Sequence, residues 1–196
     1  MKGRSTVTNL VEFSNFVFDE MENGRQVDCV YTDFSKAFDC VNHGLLCFNL
    51  SRDLGGRMYC CSESYLTDRT QQVKLADYVS ETVHCHSGVP QGSHLGPLFF
   101  IDDVDEVLRI FKHVSALGYA DDLKLFMAIN NAEDCQRFQT DLDRLQEWCL
   151  KNKFVLNVNK CKTITFSRNK SPIEHNYQIG GHELERVNEY KDLGVY

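Results

Sequence analysis

Residues 118–126 read GYADDLKLF. Asp121 and Asp122 are adjacent carboxylates between two short apolar segments of strand type. Residues 115–128 therefore read as strand, turn, strand, with the acids presented at a sheet edge. Alone, such a pair usually means a solvated turn. A second pair, Asp102-Asp103, shows what setting adds: it precedes VDEVLRIF, reads as a helix cap or interior, and has no strand around it.

An earlier segment changes the weight of the first pair. Residues 27–34, VDCVYTDF, are rich in β-formers, short enough for a buried strand, and deliver Asp33 at its end. Carboxylates at the ends of neighbouring strands can converge on hard cations such as Mg²⁺, which take oxygen ligands and keep waters. Two such ions about 3.5–4 Å apart stabilise both the attacking and the leaving oxygen of a phosphoryl transfer. Asp33 with Asp121 supplies convergent carboxylates, and the backbone amides of residues 34–37 can face a phosphate. Between the two acidic segments lies SGVPQGSHLGPLFF, residues 87–100. Gly88, Gly92 and Gly96 permit close backbone approach to a ligand, and Pro90 stiffens the start of the loop.

The rest of the chain alternates helices with hairpins. Ser5 can cap a helix carrying Asn9, Leu10, Phe13, Val17 and Met21 at helical spacing, ended by Gly24. Residues 37–50 read as a loop entering a helix, while 51–61 have too little periodicity to place. Residues 71–75 and 82–86 alternate like paired strands, with Asp77 near the turn. Residues 98–111 look helical through Phe99, Val104, Val107, Leu108 and Phe111. The clearest helix is 131–151, whose stripe of Cys135, Phe138, Leu142, Leu145 and Trp148 or Cys149 reads as a core face. Residues 154–158 and 163–167 read as a second hairpin, and Gly180-Gly181 as a third turn. The predicted class is α+β: one domain built on an antiparallel sheet with helices on one face.

Composition bounds the function. With 42% hydrophobic and 25% charged residues the chain is an ordinary globular sequence, not a disordered one. No apolar run is long enough to span a membrane, and MKGRSTVTNL lacks the apolar core of a signal peptide. The expectation is a cytoplasmic or nuclear protein, neither secreted nor membrane-bound. Nine cysteines without a C-x-x-C pair read as reduced, mostly buried thiols rather than zinc ligands or bridges. The net charge of −7 is awkward for a nucleic-acid binder. Composition alone favours a soluble protein with no such partner. The other reading is a catalytic core whose basic surfaces lie on other parts of a polymerase.

The motifs reverse that preference. TDFSKAFDCVNH (32–43), GVPQGSHLGP (88–97), YADDLKLF (119–126), FVLNVNKCKTITF (154–166) and EYKDLGV (189–195) resemble, in order, the palm motifs of reverse transcriptases. GRSTVTNL (3–10) resembles the segment before the palm in arthropod-type, jockey-like non-LTR retrotransposons. The resemblance implies a polymerase palm-like fold: residues 1–24 as the end of the fingers, 25–168 as the palm, 169–196 as a primer-grip-like hairpin, with most of the fingers and the thumb missing. It implies that Asp33, Asp121 and Asp122 hold two Mg²⁺ ions, with Mn²⁺ as a substitute. Phe38 matches the steric gate against a ribose 2′-OH. Phe34, Ala37, Gln91 and Gly92 match nucleotide-binding positions. Lys160 matches the lysine near the triphosphate, a candidate general acid for pyrophosphate departure, with Lys162 as a rival. Tyr119, Leu193 and Gly194 match primer contacts. The partners implied are an RNA template, a DNA primer and deoxynucleoside triphosphates; the oligomeric state is unknown.

Two segments depart from the family pattern. LSRDLGGRMYCCSESYL (50–66) is compressed, and LFFIDDVDEVL (98–108) is shorter by about three residues, which rotates the downstream part of a helix by about 300°. The expectation is that this chain alone binds template–primer weakly and polymerises poorly or not at all. The competing reading is a catalytically inactive remnant serving as a nucleic-acid-binding or structural module. A nucleotidyl cyclase, which also pairs aspartates on an antiparallel sheet, does not fit the GVPQGSHLGP and LNVNKCK segments.

Overall fold

The computed structural model describes residues 5–53, 55–90, 92, 93, 95, 96 and 106–195. Gln91, the Asp102-Asp103 pair and most of the helix expected over 98–111 lie outside the described residues, as does most of the second shortened segment.

Helix α1 (Thr6–Glu22) starts at Ser5, whose hydroxyl accepts from the Thr8 amide at 3.2 Å while the Ser5 amide donates to the Thr8 hydroxyl at 2.7 Å. That reciprocal cap satisfies two donors a helix start otherwise leaves orphaned. Gly24, at φ +73°, turns the chain into β1 (Gln26–Asp33).

Strand β1 is the centre of a five-stranded sheet. With β6 (Ser115–Tyr119), β7 (Asp122–Ile129), β8 (Lys162–Phe166) and β11 (Glu185–Arg186), the order is β11-β8-β1-β7-β6. All pairings are antiparallel except the edge pair β11–β8, which is parallel.

The α+β class holds, with one addition. Strand β1 is buried along almost its whole length, so both faces are covered. Val27, Cys29 and Tyr31 pack with Phe13 and Val17 of α1, while Val30 packs on the opposite side. There it meets Phe138, Leu142 and Leu145 of α5 (Ala132–Asn152) and residues of α2 (Ala37–Cys40), α3 (His43–Asp53) and α4 (Gly56–Leu66). Among the described residues, helices thus lie on both faces, α1 alone on one of them.

Helix α5 matches its sequence reading. Asn131 caps it by accepting from the Asp134 amide at 3.0 Å, and Cys135, Phe138, Leu142, Leu145, Trp148 and Cys149 are all buried. Its buried Asp141 accepts from the amides of Lys112 (3.1 Å), His113 (2.7 Å) and Val114 (2.9 Å), and pairs with Arg144. These bonds fix the approach of the chain to β6.

Two hairpins differ from expectation. The arm at 71–86 pairs in two pieces, β2 (Thr70–Gln71) with β5 (Val83–His84) and β3 (Lys74–Leu75) with β4 (Tyr78–Val79). The expected 154–158/163–167 hairpin does not form. Strand β8 is already flanked by β1 and β11, so residues 154–158 run past the end of β1 instead, where Leu156 bridges Phe34. The Gly180-Gly181 turn does form, joining β9 (Gln178–Ile179) to β10 (His182–Glu183).

Candidate active site

Asp33 is the last residue of β1 and Asp122 the first of β7, and the register sets them directly opposite each other. Directly opposed residues of an antiparallel pair share a face. The Ala120-Asp121 turn, with Ala120 at φ +54°, puts Asp121 one residue before Asp122. Thr32 donates to the Leu123 carbonyl at 2.9 Å and locks this register.

Burial, first, pushes the Asp122 carboxyl above its ordinary value; the charges of Asp121, Asp192 and Asp33 add to the rise, and Lys124 opposes it. Like charges are therefore gathered without full compensation. Among the described residues no group of three or more His, Cys, Asp or Glu side chains is arranged to hold a metal ion. The donor set still fits a hard divalent cation in kind: two facing carboxylates, a third in the adjoining turn, and a mutual repulsion that a cation relieves.

The two candidate lysines separate clearly. The Lys160 ammonium lies 3.5 Å from the Asp33 carboxylate. Its backbone is brought there by the 154–160 segment, where the Asn157 amide donates to the Asp33 carbonyl at 2.7 Å and the Lys160 amide to the Asn157 carbonyl at 2.9 Å. Lys162 instead pairs with Glu185 at 2.6 Å on the β8–β11 edge.

Phe34 and Ala37 are buried in the core, so at these positions only the backbone is open to a ligand. Within 34–37 the Ser35 amide is taken by the Val155 carbonyl at 2.7 Å. Phe38 is partly buried against the same core, and its carbonyl accepts from the Val89 amide at 2.9 Å. The loop before Gly92 is clasped to this segment through Gly88. A Cβ there would sit 2.9 Å from the Asp39 Cα, and the backbone is at φ +82°, so only glycine fits. Gly92 is exposed at φ +79°. Gln91 lies outside the described residues.

Tyr119, Asp122 and Leu193 line one cavity with Asn9, Tyr31 and Lys124. Leu193 and Gly194 form a tight turn at φ +48° and +90°, closed by reciprocal Asp192–Val195 backbone bonds of 2.7 and 2.9 Å. The structure thus gathers Asp33, Asp121, Asp122, Lys160, Tyr119, Leu193 and Gly194 at one end of the sheet. Sequence reasoning missed Lys124 and Asp192, which form an ion pair beside Asp122 in which the lysine is buried and the aspartate partly so. The available signal was a lysine inside the apolar run LKLF.

Comparison with known proteins gives the family. The family model of reverse transcriptase (RNA-dependent DNA polymerase) matches residues 1–196. The chain belongs to that family. Relatives include the "RNA-directed DNA polymerase from mobile element jockey" of Drosophila melanogaster, 28% identical over 92% of this chain and 20% of its own length. The "probable RNA-directed DNA polymerase from transposon BS" of the same species is 28% identical over 99% of this chain and 22% of its own length. The chain therefore spans about a fifth of these curated relatives. Among solved structures, telomerase from Candida tropicalis aligns with a TM-score of 0.63 at 15% identity, covering 85% of this chain and 30% of that one. Telomerase from Candida albicans aligns at 0.63 and 14%, covering 93% and 33%. The telomerase likeness establishes the fold. Among the described residues no helix is long and apolar enough to cross a membrane.

Proposed function

We propose that this chain forms the palm of an RNA-directed DNA polymerase of a retrotransposon, adding deoxynucleotides to a primer 3′-OH against an RNA template. The observation that carries the reading is the direct opposition of Asp33 and Asp122, with Asp121 in the adjoining turn.

In this reading Asp33, Asp121 and Asp122 hold two Mg²⁺ ions, or Mn²⁺, which supply charge stabilisation at the attacking and leaving oxygens. The chain's own residues do the positioning. The backbone at Phe34 and Ala37, with Gln91 and Gly92, holds the incoming nucleotide, and Phe38 crowds a 2′-OH. Tyr119 and the Leu193–Gly194 turn hold the primer end. Lys160, beside Asp33, is placed to give a proton to departing pyrophosphate. Holding the 3′-OH in line with the α-phosphate supplies much of the rate, because phosphoryl transfer asks mainly for positioning and electrostatics. The reading places the protein in the cytoplasm or nucleus, where its nine cysteines stay reduced.

The test is primer extension on an RNA template with Mg²⁺ or Mn²⁺, beside an Asp121→Asn/Asp122→Asn variant, with Mn²⁺ binding measured on both proteins. Slow extension that vanishes in the variant is the expected result. Metal binding without extension keeps the site and withdraws turnover by this chain alone. Neither binding nor extension overturns the reading in favour of an inactive remnant that at most binds nucleic acid or serves a structural role.

A further inference from the structure

Lys124 lies two residues beyond Asp122 on β7, on the same face, and is 4% exposed. Its ammonium pairs with the Asp192 carboxylate and sits 4.7 Å above the Phe13 ring of α1. Burying Lys124 and partly burying Asp192 costs about as much as their attraction returns, so the pair is a weak contributor to net stability. What it does supply is one geometry, since moving either partner strands the other charge.

That geometry spans two parts of the candidate site. Asp192 opens the tight turn that carries Leu193 and Gly194 and closes on Val195. Two residues earlier, Tyr190 stacks on Tyr31, with ring centroids 4.0 Å apart at 17°. Tyr31 is two residues before Asp33 on β1. The 190–195 segment is thus tethered to each of the two strands that present a carboxylate, and each of these tethers is two residues from its acid.

We infer that Lys124 and Asp192 are positioning residues, a strut that sets where the Leu193–Gly194 turn, and with it a primer end, lies relative to Asp122. The primer-end part rests on the function proposed above; the strut does not.

The test uses the full chain labelled with ¹⁵N. Mn²⁺ broadens amide signals near its site, so it reads distance from the carboxylates directly. In the unsubstituted chain, broadening is expected at Tyr119, Leu123, Leu193 and Gly194. In Lys124→Met/Asp192→Leu, which replaces the charges with apolar groups of similar size, broadening persists at Tyr119 and Leu123 and falls away at Leu193 and Gly194. Asp192→Glu, which keeps the charge, retains it. Undiminished broadening at Leu193 and Gly194 in the double variant overturns the strut.

If Mn²⁺ broadens nothing in the unsubstituted chain, the metal reading fails, and amide exchange decides the strut instead. Exchange of the Val195 amide rising about tenfold in the double variant, with β1 and β7 amides still protected, supports it. Unchanged Val195 exchange overturns it. Should the double variant not fold, Asp192→Asn, which keeps the side-chain shape, is read by the same two criteria.

Discussion

Asp122 is exposed at the head of β7 with Asp121, Asp192 and Asp33 close by, and its carboxyl is raised as a result, partial desolvation being the largest cause. A raised folded value means the folded chain holds that proton more tightly than the unfolded one. The contribution to stability is present in full below the unfolded carboxylate range and is lost as pH rises through the folded value. At neutral pH the ionised Asp122 therefore opposes folding. Asp122→Asn is expected to stabilise the fold by about 0.5 kcal/mol after solvent screening, seen as a slightly higher melting temperature, while abolishing Mn²⁺ binding. A melt with and without the ion checks both. Asp141 shows the opposite sign. Burial acts to raise it, but the amides of Val114 and His113, the Arg144 guanidinium and the Lys112 amide outweigh that and hold it below the usual range. Its contribution is present above the unfolded carboxylate value and lost only as pH falls through the lower folded one. Asp141→Asn should cost about 2–4 kcal/mol at neutral pH, read by urea unfolding.

Among the elements, α5 was fully legible because its polar and apolar faces separate cleanly and its cap is a side chain, Asn131. Phe138→Ala, which empties a position with no exposure at the centre of that face, is expected to cost about 3–5 kcal/mol in chemical unfolding. Strand β1 and the β6–β7 hairpin were legible for a similar reason, since their carboxylates end otherwise apolar runs. Helix α4 was not. Of its described side chains only Ser62 and Leu66 are buried, so the core imprints little periodicity on 56–66. The 154–158 segment misled because its residues suit a strand, while its backbone bonds join Asp33, the last residue of β1, and Ser35 just beyond it. Which face α1 covers was also hidden. Its stripe states that it packs, not on what, although the near-continuous burial of β1 required cover on both sides. The Lys124–Asp192 pair joins residues 68 apart, and nothing local to either announces the other.

At the scale of the whole molecule, the cysteines report on the integrity of the core. Burial pushes the Cys149 thiol up to about 12 and raises Cys29 and Cys161, whereas Cys60 and Cys61 are exposed. Because the thiolate is the reacting form, a thiol reagent should label Cys60 and Cys61 first and reach Cys29, Cys149 and Cys161 only on unfolding. Mass spectrometry of partly labelled protein reads this order, and early labelling of Cys149 would show that the α5 face is loose. The central position of β1 has a further consequence, in time rather than space. Its partners β7 and β8 leave a ribosome roughly 100 and 140 residues after it, so the pairing that defines the sheet is long-range and slow to close. At synthesis rates of about 5–20 residues per second, an apolar strand with both edges unsatisfied waits roughly 5–30 s for its neighbours. During translation α1, made just before β1, is already there to cover Val27 and Cys29, but both edges of the strand stay open for that interval.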